Sequence, residues 1–208
     1  MSNPLSSNPL DVLLRHDHWG TRRVLEVCGE LAPEQFQRRF DMGPGSLHET
    51  LTHVVGAMRR WCDRLLQRPI RPAVDNPPRN VGMPSDYRVR TPGEIIALLD
   101  EAGAELVSIA ADVRRPGGLG LESEITFALD GTTYRTTRGA AFVHVTTHGT
   151  HHRAQCLNML RQLGVTRLPE LTVIDWQSEV ETRKVEPFAR RNVLATRGAH
   201  SAATEQGV

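Results

Sequence analysis

Residues 144–155 read HVTTHGTHHRAQ, which places His144, His148, His151 and His152 close together in the chain. Neutral imidazole is a good ligand for zinc, nickel or iron, and histidine also moves protons near neutral pH. Two histidines four apart on a helix can reach one ion. Two such pairs exist, His144 with His148 and His148 with His152, and the spacing does not choose between them. Two ligands on one helix make a weak site, so a third must come from elsewhere. The candidates are His48 and His53 in one segment and His16, Asp17 and His18 in another. The pattern is not the H-E-x-x-H of a metalloprotease: Glu49 follows His48, but position 52 is threonine and His53 comes one residue later.

The elements that must position these residues are helical. On a wheel of 100° per residue, Ala141, His144, His148, His151, His152 and Gln155 share one face, which continues from Ala140. The histidines are therefore expected to look inward from a helix spanning about Thr137 to Leu163 and stopped by Gly164. An earlier helix follows the stop Gly43-Pro44-Gly45. Ser46 and Glu49 form its capping box, and Leu47, Leu51, Val54, Met58, Trp61 and Leu65 its apolar stripe, to an end near Pro69. His53 lies off the centre of that stripe, beside Gly56 and Ala57, whose small size permits close approach; His48 lies off it on the other side. The wheel favours neither.

The first helix runs from about Pro9 to Gly29, with a stripe from Leu10 to Cys28. Asp17 falls on that stripe, where an acid is either hydrogen-bonded in the core or turned toward a site. Thr91, Pro92 and Glu94 open another helix, which carries Ile95, Leu99, Ala102 and Leu106 to about Arg114 and is stopped by Pro116-Gly117-Gly118. Residues 69–92 are proline-rich and read as a long loop able to cover a pocket. Ile125–Leu129 alternates, Asp130-Gly131 turns and Thr132–Thr136 returns, a hairpin that must dock on something to be stable. Leu168–Glu179, with Trp176, is expected to dock as a short segment. The architecture expected is all-α: a four-helix bundle with a small β-hairpin before the fourth helix. It occupies 1–183, with a polar tail at 184–208.

Bulk properties narrow the function. Twenty-five basic and 24 acidic residues leave a net charge of +1, so no strong field favours nucleic acid. Arg59, Arg60, Arg64, Arg68 and Arg71 read as the wet face of a helix. No apolar stretch is long enough for a membrane span, and the N-terminus lacks the pattern of a secretory signal. Cys28, Cys62 and Cys156 all sit in helical patterns, which argues against a disulfide framework and fits a reducing cytoplasm.

Three stretches, HDHWGTRRVLE (16–26), GPGSLHETLTHVVGAMRRW (43–61) and HVTTHGTHHRAQCLNMLRQLG (144–164), with the hairpin and LPELTVIDW (168–176), resemble the DinB-like (DinB/YfiT) superfamily of metal-binding four-helix proteins over most of the chain. The H-G-T-x-H-R-x-Q motif of the last helix is the specific part. The resemblance implies a bundle with a long crossover, often a homodimer, and a divalent metal (Zn, Ni or Fe) held by His53, His148 and His152. It implies a metal-dependent thiol S-transferase or a hydrolase acting on a small electrophilic molecule, with a low-molecular-weight thiol as cosubstrate in the first case. Asp17 or His144 would orient groups or move protons, and Arg153 would face a partner helix or anchor a substrate carboxylate. His144 becomes a neighbour of the ligands, with Gln155. His151 stands where the family often has tyrosine, and His16 replaces an aromatic residue, so both make the surroundings more polar. The competing reading is a non-catalytic metal-binding or stress-response protein with a structural or vestigial site.

Overall fold

A computed structural model describes residues 8–76, 82–129 and 131–182. Its elements, in chain order, are α1 (Pro9–Cys28), α2 (Pro33–Gln37), α3 (Leu47–Leu65), α4 (Pro92–Arg114), β1 (Glu124–Leu129), β2 (Thr132–Thr137), α5 (Arg138–Gln162) and α6 (Val173–Thr182). The expected tail at 184–208 and Asp130 of the hairpin turn lie outside the described residues.

Each long helix starts where a side chain satisfies the free amides of its first turn. Asn8 accepts from Leu10, Ser46 from Glu49, Thr91 from Glu94 and Thr137 from Ala140. At Thr91 the Glu94 carboxylate also accepts from the Thr91 amide, completing the capping box. Helix α3 ends with its apolar rhythm at Leu65, short of the end expected near Pro69. Gln67 takes a left-handed φ of 51°, and the buried Asp63 carboxylate accepts from Arg68 and from the Arg71 amide, turning the chain back. The short α2 carries no periodic signal; it buries Phe36 and is held by the Gln35 side chain accepting from the Ala32 amide.

The four long helices form a four-helix bundle in which α1 and α3 each touch both α4 and α5. Leu25, Leu47, Leu51, Leu65, Ile95, Leu99, Leu106, Phe142, Met159 and Leu160 form a single buried core. The connections through α2 and through the hairpin therefore cross between diagonal helices, while α3 and α4 are neighbours joined by the long loop. Residues 73–75 of that loop are buried, and Ala73 bridges to Ser85. The antiparallel hairpin pairs Ile125 with Thr136 and Phe127 with Tyr134. Its anchoring weakens toward the turn: burial falls from Ile125 through Phe127 to Leu129 along β1, and Arg138 donates to the Ser123 hydroxyl below it. Segment 168–182 docks on α1, burying Trp176 and receiving a hydrogen bond from Trp19 at Glu179. No helix among the described residues is long and apolar enough to cross a membrane.

Candidate metal centre

The histidine face of α5 turns toward α3. His148 and His152 stand one turn apart on α5, and His53 meets them from α3. One ring nitrogen of each lies within 4.8 Å of the other two. His53 Nε2 and His148 Nε2 are 3.1 Å apart. Nitrogens bound tetrahedrally to one zinc ion at 2.0–2.1 Å stand about 3.4 Å from each other, so the cluster has the dimensions of a ligand set.

The outer nitrogens are fixed by acceptors. His53 Nδ1 is 3.1 Å from Asp75 Oδ2, and a carboxylate there requires the proton on Nδ1, leaving the Nε2 lone pair toward His148. His152 Nδ1 is 2.8 Å from Gln155 Oε1, which leaves its Nε2 as the free ligand atom, and the same glutamine's amide meets His151 Nε2 at 3.0 Å. Burial, with the neighbouring imidazoles His152 and His53, pushes the pKa of His148 down to about 3. The imidazole is thus neutral at pH 7, the form a metal requires.

Asp75 comes from the long loop, where no periodicity marks it. It is fully buried, and Arg60 clamps it with two hydrogen bonds of 2.6 and 3.0 Å. Burial raises the pKa of its carboxyl, but hydrogen bonds from His53 and Arg60 outweigh that and hold it well below the usual range. Gly56 makes room: a Cβ there would lie 2.6 Å from Asp75 Oδ1. The small residue beside His53 admits a loop carboxylate rather than a neighbouring helix. It is the one sequence signal that Asp75 left.

The remaining candidates take other places. His48 is buried; its Nε2 accepts from the Arg90 amide and its ring meets Phe36 edge-on, so it serves the core, and burial lowers its pKa. His16 bonds the Leu171 carbonyl, and His18 bonds Asp100. His144 stays outside the ligand group; its ring lies 5.7 Å from that of His148 and 5.0 Å from Trp61. Burial and the nearby Arg64 charge lower its pKa. Asp17 and Arg153 pair with each other, turned toward the contact between α1 and α5 rather than toward the triad. Arg153 also donates to the Thr21 and Thr150 hydroxyls, and Gly149 leaves the space that Asp17 occupies. Burial raises the pKa of Asp17 against the pull of the arginine charge. The arginines of the 59–71 stretch are not a wet face. Arg60 is buried on Asp75, Arg68 and Arg71 converge on the buried Asp63, and Arg64 faces a cavity.

That cavity, about 780 Å³, adjoins the triad. His53, His148 and His144 line one part of it; Trp61, Phe127 and Tyr134 supply aromatic wall. Its volume suits a small molecule. The thiols lie elsewhere: Cys28, Cys62 and Cys156 are buried and free, and burial pushes the first two up to about 12, so none is a nucleophile at neutral pH.

The arrangement combines a facial set of three imidazoles with a small-molecule cavity on one side. Comparison with known proteins gives one family match: the model of the DinB family covers residues 1–183. No curated protein matches the chain.

Proposed function

The chain belongs to the DinB family, and on that footing we propose that it is a metal-dependent enzyme that transfers a thiol to a small electrophile or hydrolyses one. The observation that carries this reading is the position of the triad: His53 and His148 are at once members of the ligand group and part of the cavity lining. A purely structural ion would be enclosed by protein ligands, whereas catalytic sites keep a position open toward substrate. Three imidazole nitrogens suit a divalent ion, and such an ion would supply Lewis acidity, lowering the pKa of a water or thiol on the cavity side.

The chain's own residues do the rest. Asp75 and Gln155 hold the His53 and His152 rings so that the outer nitrogens keep their protons and the inner ones face the site. His144, on the cavity wall with its pKa lowered, is placed to accept a proton from a bound thiol or water. Trp61 and Phe127 exclude water from one side of the cavity. Asp17 and Arg153 fix α5 against α1, on the side of α5 away from the triad.

The test is elemental analysis of protein purified without chelator or affinity histidines, repeated on His53→Ala and His148→Ala, followed by thiol-conjugation and hydrolysis assays on the metal-loaded protein. The reading expects about one ion per chain, lost in both variants. Absence of metal from the wild type, or metal retained by both variants, would refute it.

A further inference from the structure

The described lining of the cavity beside the triad is one-sided in charge. Among the described residues its lining holds Arg60, Arg64 and Arg135 and no aspartate or glutamate. The three arginines are not equivalent. Arg60 is spent on Asp75. Arg135, on the exposed face of β2, stands 3.6 Å from Glu124. Arg64 makes no ion pair and no side-chain hydrogen bond with a described residue. The adjacent Asp63 carboxylate is turned the other way, onto Arg68 and Arg71.

Arg64 is nonetheless held in place. Its guanidinium lies over the Trp61 ring at 4.8 Å and the Phe127 ring at 4.5 Å, and those rings meet nearly edge to face, 5.2 Å apart. Tyr134 stacks on Phe127 at 5.6 Å. Contact with the rings through its central carbon uses none of the guanidinium's N–H donors, which make no hydrogen bond with a described side chain, and that fork matches an oxyanion. A half-buried cation with no ion-pair partner among the described residues is a costly arrangement, and burial with the nearby Arg60 charge lowers the pKa of Arg64 against the pull of Asp63. The cost is offset if a counter-ion arrives with the ligand.

We propose that this cavity takes a small organic anion, with its carboxylate or like anionic head on Arg64 and its flat apolar body against Trp61, Phe127 and Tyr134. The uncharged end of such a molecule points toward His53 and His148. The inference rests on the proposed function only for what happens at that end; recognition of the anion needs no turnover. The cavity volume sets the scale at a metabolite rather than a macromolecule.

The probes are naphthalene-2-carboxylate and the neutral naphthalene-2-carboxamide, titrated calorimetrically into the full-length chain, both metal-loaded and after chelation. The carboxylate is expected to bind about tenfold more tightly than the carboxamide in both states, as a charge-assisted fork would give. R64Q should bring the two probes within about threefold of each other, and R64K should keep part of the gap. On the unaltered protein, carboxylate affinity should fall with added salt while carboxamide affinity does not. That arm stands even if R64Q fails to fold. Equal binding of the two probes, a preference that survives R64Q, a preference lost in R135Q instead, or one that disappears on chelation would overturn the assignment to Arg64. Metal content read on the same samples keeps the two ideas apart: a chain without metal refutes the proposed chemistry, while the charge preference stands or falls on the titrations.

Discussion

Replacing Asp75 by asparagine changes one atom and should disable the triad. The carboxylate accepts from both Arg60 nitrogens and from His53 Nδ1. An asparagine has one acceptor oxygen, which the buried Arg60 will claim, since an unpaired buried guanidinium costs about 3–5 kcal/mol. The amide nitrogen, now a donor, then faces His53 Nδ1. That ring must accept there, its proton moves to Nε2, and Nε2 is the atom 3.1 Å from His148 that a metal would need. Loss of such an orienting carboxylate typically weakens metal affinity about 10- to 100-fold, or about 1.4–2.8 kcal/mol. The assay is competition for zinc against a chromophoric chelator at pH 7.5. Gly56→Ala disturbs the same contact while leaving every polar group of the wild type in the chain, because its methyl would lie 2.6 Å from Asp75 Oδ1 and 2.9 Å from Cγ. It should weaken zinc in the same direction. A zinc affinity in D75N within about twofold of wild type would refute the tautomer argument, since the 10-fold minimum comes from that second contact.

Arg153→Met leaves Asp17 buried without its cation and should destabilise the fold by about 3–5 kcal/mol in urea while metal stoichiometry is unchanged; loss of metal with stability intact would place the pair in the site instead. The pH dependence of the metal-free protein follows from His148, whose pKa falls from 6.5 unfolded to about 3 folded. Because the folded state favours the neutral ring, this contribution is complete above pH 6.5 and is lost as pH falls toward 3, at up to about 1.4 kcal/mol per pH unit. His48, lowered by burial, adds in the same sense. Urea midpoints between pH 7.5 and 4.5 should slope accordingly, and less so in His148→Gln; a flat profile would contradict the burial of a neutral ring.

The long helices were legible because their ends and their faces carry independent signals that agree. Ser46, Thr91 and the Gly43-Pro44-Gly45 stop mark boundaries, and the leucines mark the buried side. The fourth helix was legible as a histidine face, but its inward orientation held only in part: His152 is buried and His148 half-buried, while His144 and His151 are exposed and the core side is carried by Ala141, Phe142, Val145, Cys156, Met159 and Leu160. The choice between His48 and His53 was not available from periodicity. Both flank the α3 stripe, and what separates them lies outside the helix: the Arg90 amide meets one and the Asp75 carboxylate the other. A single acid in an aperiodic loop leaves no pattern in sequence. The arginines misled for a related reason. Spacing that suits a solvent face suits equally a face met by acids that only the tertiary structure brings to it, here Asp75 from the loop, Asp63 from α3 itself and Glu105 from α4. Helix α2, five residues with one buried phenylalanine, is too short for a period to show.

The hairpin has a consequence of a different kind. Phe127, Leu129, Tyr134 and Arg135 border the cavity from a ribbon rooted in the bundle between Ser123 and Phe127. The histidines, by contrast, are fixed by helices whose packing tolerates little change. The two inheritances are separable: drift along the ribbon's outer half can reshape and recharge the receiving surface while the ligand geometry stays as it was. A scaffold divided in this way can diversify in what it accepts without being rebuilt in what it holds.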